Sequence, residues 1–270
     1  MQDRPINLSK GENSMKKIIV GVAFAALSVT NFVACSSTPD QPPAASAAQL
    51  ANTAPTAAAG VTSLDPNAPV ELKIVSPKPG EVVSTENVPV TFDLKNYHIE
   101  PNGQHIHVIL DNEAYVPCYT TAEPFVLKDV KPGLHTIRAF PSRAWHESIK
   151  EPTAFADVTF YVEKKGGKKS VDFNKPLLTY SRPKGKYEGE KADKILFDFF
   201  LTNAELGPDK YKVKYVLDGQ KPQIIDDWKP NYFENLTPGK HKLVVELVNK
   251  NGHLVKGDYN KTEREFEVVK

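Results

Sequence analysis

Two histidines separated by one residue, His105 and His107, stand in the stretch Gln104-His105-Ile106-His107-Val108-Ile109-Leu110-Asp111. Alternate residues of a strand point to the same side. Two imidazoles spaced this way can converge on one ion, and both Zn and Cu accept neutral imidazole nitrogen. Such a site needs a third ligand, which His146, Glu147 or Asp111 could supply. The chain has no methionine after Met15, which argues against a thioether Cu(I) site. The competing reading is a pair of histidines facing solvent or a groove and bonded to neighbouring groups. His-x-His on a strand does not decide between the two.

The second candidate is the stretch Pro141-Ser142-Arg143-Ala144-Trp145-His146-Glu147-Ser148, expected as a long loop after Phe140. Loops held by a rigid scaffold are where recognition usually sits. An exposed Trp145 flanked by Arg143 and Glu147 could stack on a sugar ring or anchor a protein partner. Alternatively Trp145 folds back to cover the edge of the scaffold. Trp228, beside Asp226-Asp227, has too few carboxylates near it for a calcium cage and reads as part of a solvated loop.

The elements that must hold these residues are short strands. Val70, Leu72 and Ile74 alternate with polar neighbours, as do Val88, Val90, Phe92 and Leu94, and then Ile106, Val108 and Leu110. Pro77-Lys78-Pro79-Gly80 and Pro101-Asn102-Gly103 punctuate them. Further strands are expected at 114–119, 125–130, 134–140 and 157–162. About seven short strands with turn clusters between them is the pattern of a β-sandwich. A helix would need apolar residues three and four apart, and none are sustained.

The pattern then repeats. Ser76-Pro77-Lys78-Pro79-Gly80 returns as Ser181-Arg182-Pro183-Lys184-Gly185, Val108-Ile109-Leu110-Asp111 as Tyr215-Val216-Leu217-Asp218, and Val130-Lys131-Pro132-Gly133-Leu134-His135 as Leu236-Thr237-Pro238-Gly239-Lys240-His241. The chain is therefore expected to be all-β, with one sandwich over 68–165, another over 171–270, and a Lys/Gly linker through 164–169. These repeats resemble the immunoglobulin-like and fibronectin-like modules of bacterial surface lipoproteins, a likeness of fold that carries no activity. The stretch 105–148 also resembles small bacterial exported domains of unassigned function. His135 and His241 occur in both copies and read as structural corner residues. Lys212 and Lys214 replace His105 and His107 in the second copy, so that pair is not required by the fold. His253 falls near the place of His146, in an Asn-Gly hairpin turn.

The N-terminal region gives an address. Lys16-Lys17, an apolar run over 18–33 and small residues after it form a secretory signal, and the run is shorter than the ~20 residues that span a bilayer. Met1 to Ser14 is polar, so translation is expected to start at Met15. Phe32-Val33-Ala34-Cys35 resembles the lipobox of bacterial lipoproteins, with Phe32 in place of the family's usual leucine. That resemblance implies lipid on Cys35, cleavage of 1–34 and, because Ser36 rather than aspartate follows, an outer-membrane location. More than one acyl chain would be needed to hold stably. Residues 36–67 are rich in Ser, Thr, Pro and Ala and read as a flexible, disordered tether. Loss of Arg4, Lys10, Lys16 and Lys17 with Asp3 and Glu12 would leave 30 basic and 31 acidic residues. That balance gives no general attraction to nucleic acid. With Cys35 acylated, Cys118 has no partner and reads as a buried, inert thiol.

Enzyme motifs are absent: no Gly-x-Ser-x-Gly, no His-Glu-x-x-His, no phosphate loop. The favoured reading is a lipid-anchored, non-catalytic cell-envelope module that binds an envelope partner or plays a structural role. No cofactor is required by it. The alternatives are a Zn or Cu site using His105, His107 and His146, and a carbohydrate site using Trp145.

Overall fold

Val88, Val90 and Phe92 mark one face of a strand and Ile106 and Val108 one face of another, and burying both faces together takes two stacked sheets. The computed structural model describes residues 67–167 and 171–269. The expected signal peptide, Cys35, its lipid and nearly all of the tether lie outside the described residues. Among the described residues, no helix is long and apolar enough to cross a membrane.

The chain forms tandem β-sandwiches. The first contains β1 (Glu71–Ser76), β2 (Val82–Val83), β3 (Val88–Lys95), β4 (His105–Leu110), β5 (Val116–Cys118), β6 (Phe125–Leu127), β7 (Gly133–Ser142) and β8 (Ala156–Val162). The second contains β9 (Leu177–Arg182), β10 (Gly185–Glu188), β11 (Lys194–Thr202), β12 (Lys212–Leu217), β13 (Gln223–Ile225), β14 (Asn231–Glu234), β15 (Gly239–Val248) and β16 (Lys261–Val269). Sheet order β1-β3-β6 is matched by β9-β11-β14, and β2-β8-β7-β4-β5 by β10-β16-β15-β12-β13. In each copy the short second strand runs parallel to the last and the other pairings are antiparallel. The repeat seen in the sequence is thus a repeat of topology, strand for strand. Val88, Val90, Ile106, Val108, Ile137 and Phe160 fill the first core. Ile195, Phe197, Phe199, Val213, Leu243 and Val245 fill the second. Cys118 is buried in the first core, where its thiol donates to the Thr120 carbonyl at 3.0 Å and burial pushes its pKa up.

The expected corner histidines share one geometry. His135 Nδ1 lies 2.8 Å from Asp111 Oδ2 and its Nε2 is 2.7 Å from the Lys131 carbonyl. His241 repeats this at 2.7 Å from Asp218 and 2.8 Å from the Thr237 carbonyl. Asp111 and Asp218 sit at φ 49° and 51°, and their second oxygens accept the backbone N–H of Thr136 and Lys242. This constellation ties the end of β4 or β12 to the start of β7 or β15, and it takes Asp111 out of the candidate ligands.

The two sandwiches pack face to face. Ile106 and Val108 point into the first core, while Ile109 on the opposite side of β4 joins Tyr115, Phe140 and Phe200 in an apolar cluster that spans both copies. Arg138 is fully buried, donates to Thr179 Oγ1 at 2.8 Å and to the carbonyl oxygens of Asp111 and Leu178, and its pKa falls to about 10 through burial. Lys150 and Ser148 both donate to buried Asp198, at 2.7 and 2.9 Å. Trp228 departs from the solvated loop expected of it. Its Nε1–H donates to the Phe199 carbonyl at 3.1 Å and its ring meets Phe200 edge-on, because this end of β11 needs an apolar cover.

Candidate metal centre

His105 and His107 share the face of β4 that the second sandwich covers. Both are 0% exposed, which corrects the expectation that they face solvent or a groove. Residues 140–148 also differ from expectation. β7 continues to Ser142, a bridge joins Ser142 to Ser148, and only a tight hairpin lies between. Arg143 N–H donates to the Glu147 carbonyl and His146 N–H to the Arg143 carbonyl, both at 2.8 Å.

Within that hairpin His146 adopts φ 71°. The left-handed region suits glycine and costs other residues about 1 kcal/mol or more. The second copy has the same turn: Asn249 N–H donates to the His253 carbonyl and Gly252 N–H to the Asn249 carbonyl, with Gly252 at φ 80°. Gly252 therefore occupies the position of His146, and His253 that of Glu147. A fold that asks for glycine carries histidine in the copy that also has His105 and His107.

The strained turn aims His146 inward. His107 Nε2 is 3.1 Å from His105 Nε2, and His146 Nδ1 is 3.0 Å from the same atom. All three ligand atoms lie within 4.8 Å of one another. Tetrahedral Zn, at ~2.0–2.1 Å from each nitrogen, holds its nitrogens about 3.3 Å apart. His105 Nδ1–H donates to the Gly103 carbonyl at 2.8 Å, so its Nε2 presents a lone pair to the other two rings. Tyr115 Oη lies 3.1 Å from His146 Nδ1 and itself accepts from Arg182 Nη2, so the phenol holds His146 in place from one side. His146 Nδ1 either donates to the His105 Nε2 lone pair at 3.0 Å or, once it gives up that proton, joins His105 Nε2 as a ligand.

Electrostatics keep the rings neutral. Burial lowers the pKa of His105, and burial followed by the neighbouring imidazoles drives that of His107 well down. Burial and then Arg182 take His146 to about 3. Around them, Tyr115 stacks on His107 with centroids 3.5 Å apart, and burial raises its phenol pKa, so it stays protonated. Ser181 Oγ lies 3.1 Å from His107 Nδ1. Lys184 donates to the Tyr115 carbonyl at 2.7 Å, and burial followed by Arg182 pulls its pKa to about 8.

No family model matches the chain, and no curated protein matches it in sequence. Among solved structures it is similar to the fibronectin(III)-like modules of Clostridium thermocellum CbhA, at 14% identity over 73% of this chain and 93% of that one, with a TM-score of 0.25. It is also similar to Bacteroides ovatus SGBP-B in complex with a mixed-linkage heptasaccharide, at 12% identity over 74% and 70% of the two chains, TM-score 0.24. The central fibronectin-III array of RIM-binding protein matches at 10% identity over 72% and 69%, TM-score 0.24. Likenesses at this level carry no inference about ligand or activity.

His105, His107 and His146 thus come together, and Glu147 does not join them. Its carboxylate accepts from Trp145 Nε1–H at 2.9 Å and lies 3.8 Å from Arg143. Trp145 does not cover the sandwich edge: it is 57% exposed, with the Arg143 guanidinium 5.5 Å from its ring. Tyr115, Ser181, Arg182 and Lys184 were not anticipated as site residues. A signal existed in Ile195-Leu196-Phe197-Asp198-Phe199-Phe200-Leu201, a nearly unbroken apolar run that marks a strand buried on both faces.

Proposed function

We propose that this chain is a non-catalytic binding module of the bacterial cell envelope, tethered by lipid on Cys35, which holds a Zn or Cu ion through His105, His107 and His146. The observation that carries the metal reading is the convergence of three imidazole nitrogens, two of them on fully buried rings and the third on a half-buried one, all within 4.8 Å of one another. Neutral rings need release no proton before they ligate. Histidine in place of the hairpin glycine supports the same reading. Against it stand Arg182 and Lys184, whose charge repels a bare cation; a bound anion would offset them.

Catalysis finds less support. Three protein ligands leave a fourth position open, but the cavity beside His146 has no carboxylate in its lining to act as general base, and Tyr115 is held in its neutral form. The envelope address rests on the N-terminal sequence alone. Metal analysis of the purified chain tests the site: about one Zn or Cu per chain is expected, lost in His105→Ala and in His107→Ala. No bound Zn or Cu after exposure to micromolar supply ends the metal reading. Mass spectrometry of the native protein tests the address, and an unacylated Cys35 with residues 15–34 still attached would refute it.

A further inference from the structure

A cavity of about 690 Å³ opens between the 143–147 hairpin and the start of the second sandwich. Its lining includes Arg182, Lys184, Lys186, Lys191 and Lys194, together with Trp145 and His146, and contains no aspartate or glutamate. Two of the five cations have carboxylates outside the cavity: Lys186 pairs with Glu188 and Lys194 with Glu234. Arg182 and Lys184 do not. Arg182 donates to the hydroxyls of Tyr115 and Tyr187, and Lys184 donates to a backbone carbonyl while its ammonium sits 3.8 Å from the Tyr115 ring centre. Among the described residues, Lys191 has no ion pair within 4.0 Å.

Neutral partners satisfy hydrogen bonds but leave charge in place. Arg182 and Lys184 repel each other in a half-buried setting where that repulsion is only partly screened. Retaining both beside neutral imidazoles makes sense when a negative ligand enters. Trp145 adds a second requirement. Its indole is mostly exposed at the rim, and one anion cannot use it. The C–H face of a sugar ring can, because its weakly positive hydrogens suit the negative face of the indole.

From the cation-lined cavity and the exposed Trp145 on its rim, we infer that it binds an acidic saccharide, a sugar ring carrying a carboxylate. The ring packs on Trp145 while the carboxylate reaches Lys184 and Arg182, with Lys191 at the mouth. This goes beyond the three-histidine reading and stands without it. Where a metal is present, the carboxylate also supplies the negative charge that the metal, Arg182 and Lys184 together call for.

Titration calorimetry of the full chain at about 0.15 M salt tests this with trigalacturonate, its neutral methyl ester and inorganic phosphate, on metal-loaded and on chelator-treated protein. Trigalacturonate is expected to bind at least one form, with the ester and phosphate at least about tenfold weaker, since tenfold is ~1.4 kcal/mol and one desolvated charge pair is worth that much. Lys191→Gln, an exposed change that leaves the core intact, and Trp145→Ala should each weaken binding about tenfold. Binding to the metal-loaded form alone supports the inference, as does binding to both. No binding to either form overturns it, as does an ester that binds equally, or phosphate that binds equally with Trp145→Ala unaffected. A chain that takes up no Zn or Cu at micromolar supply yet binds trigalacturonate refutes only the three-histidine reading.

Discussion

His146 departs from what the backbone asks of it. The hairpin at 143–147 and its counterpart at 249–253 share their hydrogen bonds, and the one position with positive φ is glycine in the second and histidine in the first. Glycine there relieves strain, while histidine reaches His105. Replacing His146 with Gly should therefore raise the stability of chelator-treated protein by about 1 kcal/mol, read as a higher urea midpoint, and abolish stoichiometric metal binding. His146→Ala keeps the strain, so it should lose the metal without gaining stability. An unchanged midpoint for His146→Gly would mean that the turn is not strained by its histidine.

At the scale of elements, the corner that clamps β4 to β7 carries a protonation state. Both nitrogens of His135 face acceptors, so the imidazolium is favoured: the hydrogen bond to Asp111 raises its pKa above 6.5 against the opposing pull of burial. At His241 burial is the largest single influence and lowers the pKa, yet Asp218 and the Thr237 carbonyl together still raise it above 6.5. A base whose pKa is raised on folding stabilises the fold fully below its ordinary value of 6.5 and loses that contribution as pH rises through the raised value. His135→Gln should thus cost about 1 kcal/mol below that pH and markedly less in alkali. This is the low end for a charge-assisted bond because Asp111 is more than a third exposed. Urea midpoints on both sides of the transition check it, and an equal loss at both would show the corner to be neutral.

For the molecule as a whole, the second sandwich completes the first. It covers the outer face of β4 and β7, contributes Ser181 to His107 and Arg182 to Tyr115, and closes over Ile109 and Phe140 with Phe200. All three candidate ligands come from the first copy, but their orientation depends on both. Ser181→Ala should lower metal affinity about 10–100-fold without unfolding the protein, measured by competition with a metal indicator. The buried pair of Lys150 and Asp198 crosses the same interface with 16% and 0% of its side chains exposed. Removing one partner, as in Lys150→Met, leaves a buried charge and should cost about 3–5 kcal/mol, whereas Lys150→Met with Asp198→Leu should be near neutral. Thermal unfolding of the single and double variants separates these outcomes; equal losses would mean that the pair is stabilising in its own right.

The sequence alone determined most of the strands and the presence of two copies, because alternation and turn residues are local; the strand order, and the short β2 that pairs with β8, came from the structure. The corner histidines were legible too, since they recur in both copies, and so were the three imidazoles as a set. Burial was not. Alternation on β4 separates Ile106 and Val108 from His105 and His107 but does not say whether the second face meets water or another sheet. That was decided by the packing of β9 and β11 against β4 and β7, which brings Ser181, Arg182 and Lys184 across some 70 residues of chain to His107 and Tyr115. Contacts of that separation leave no spacing in the sequence, and only the tertiary structure could turn an exposed-looking pair of histidines into an enclosed one.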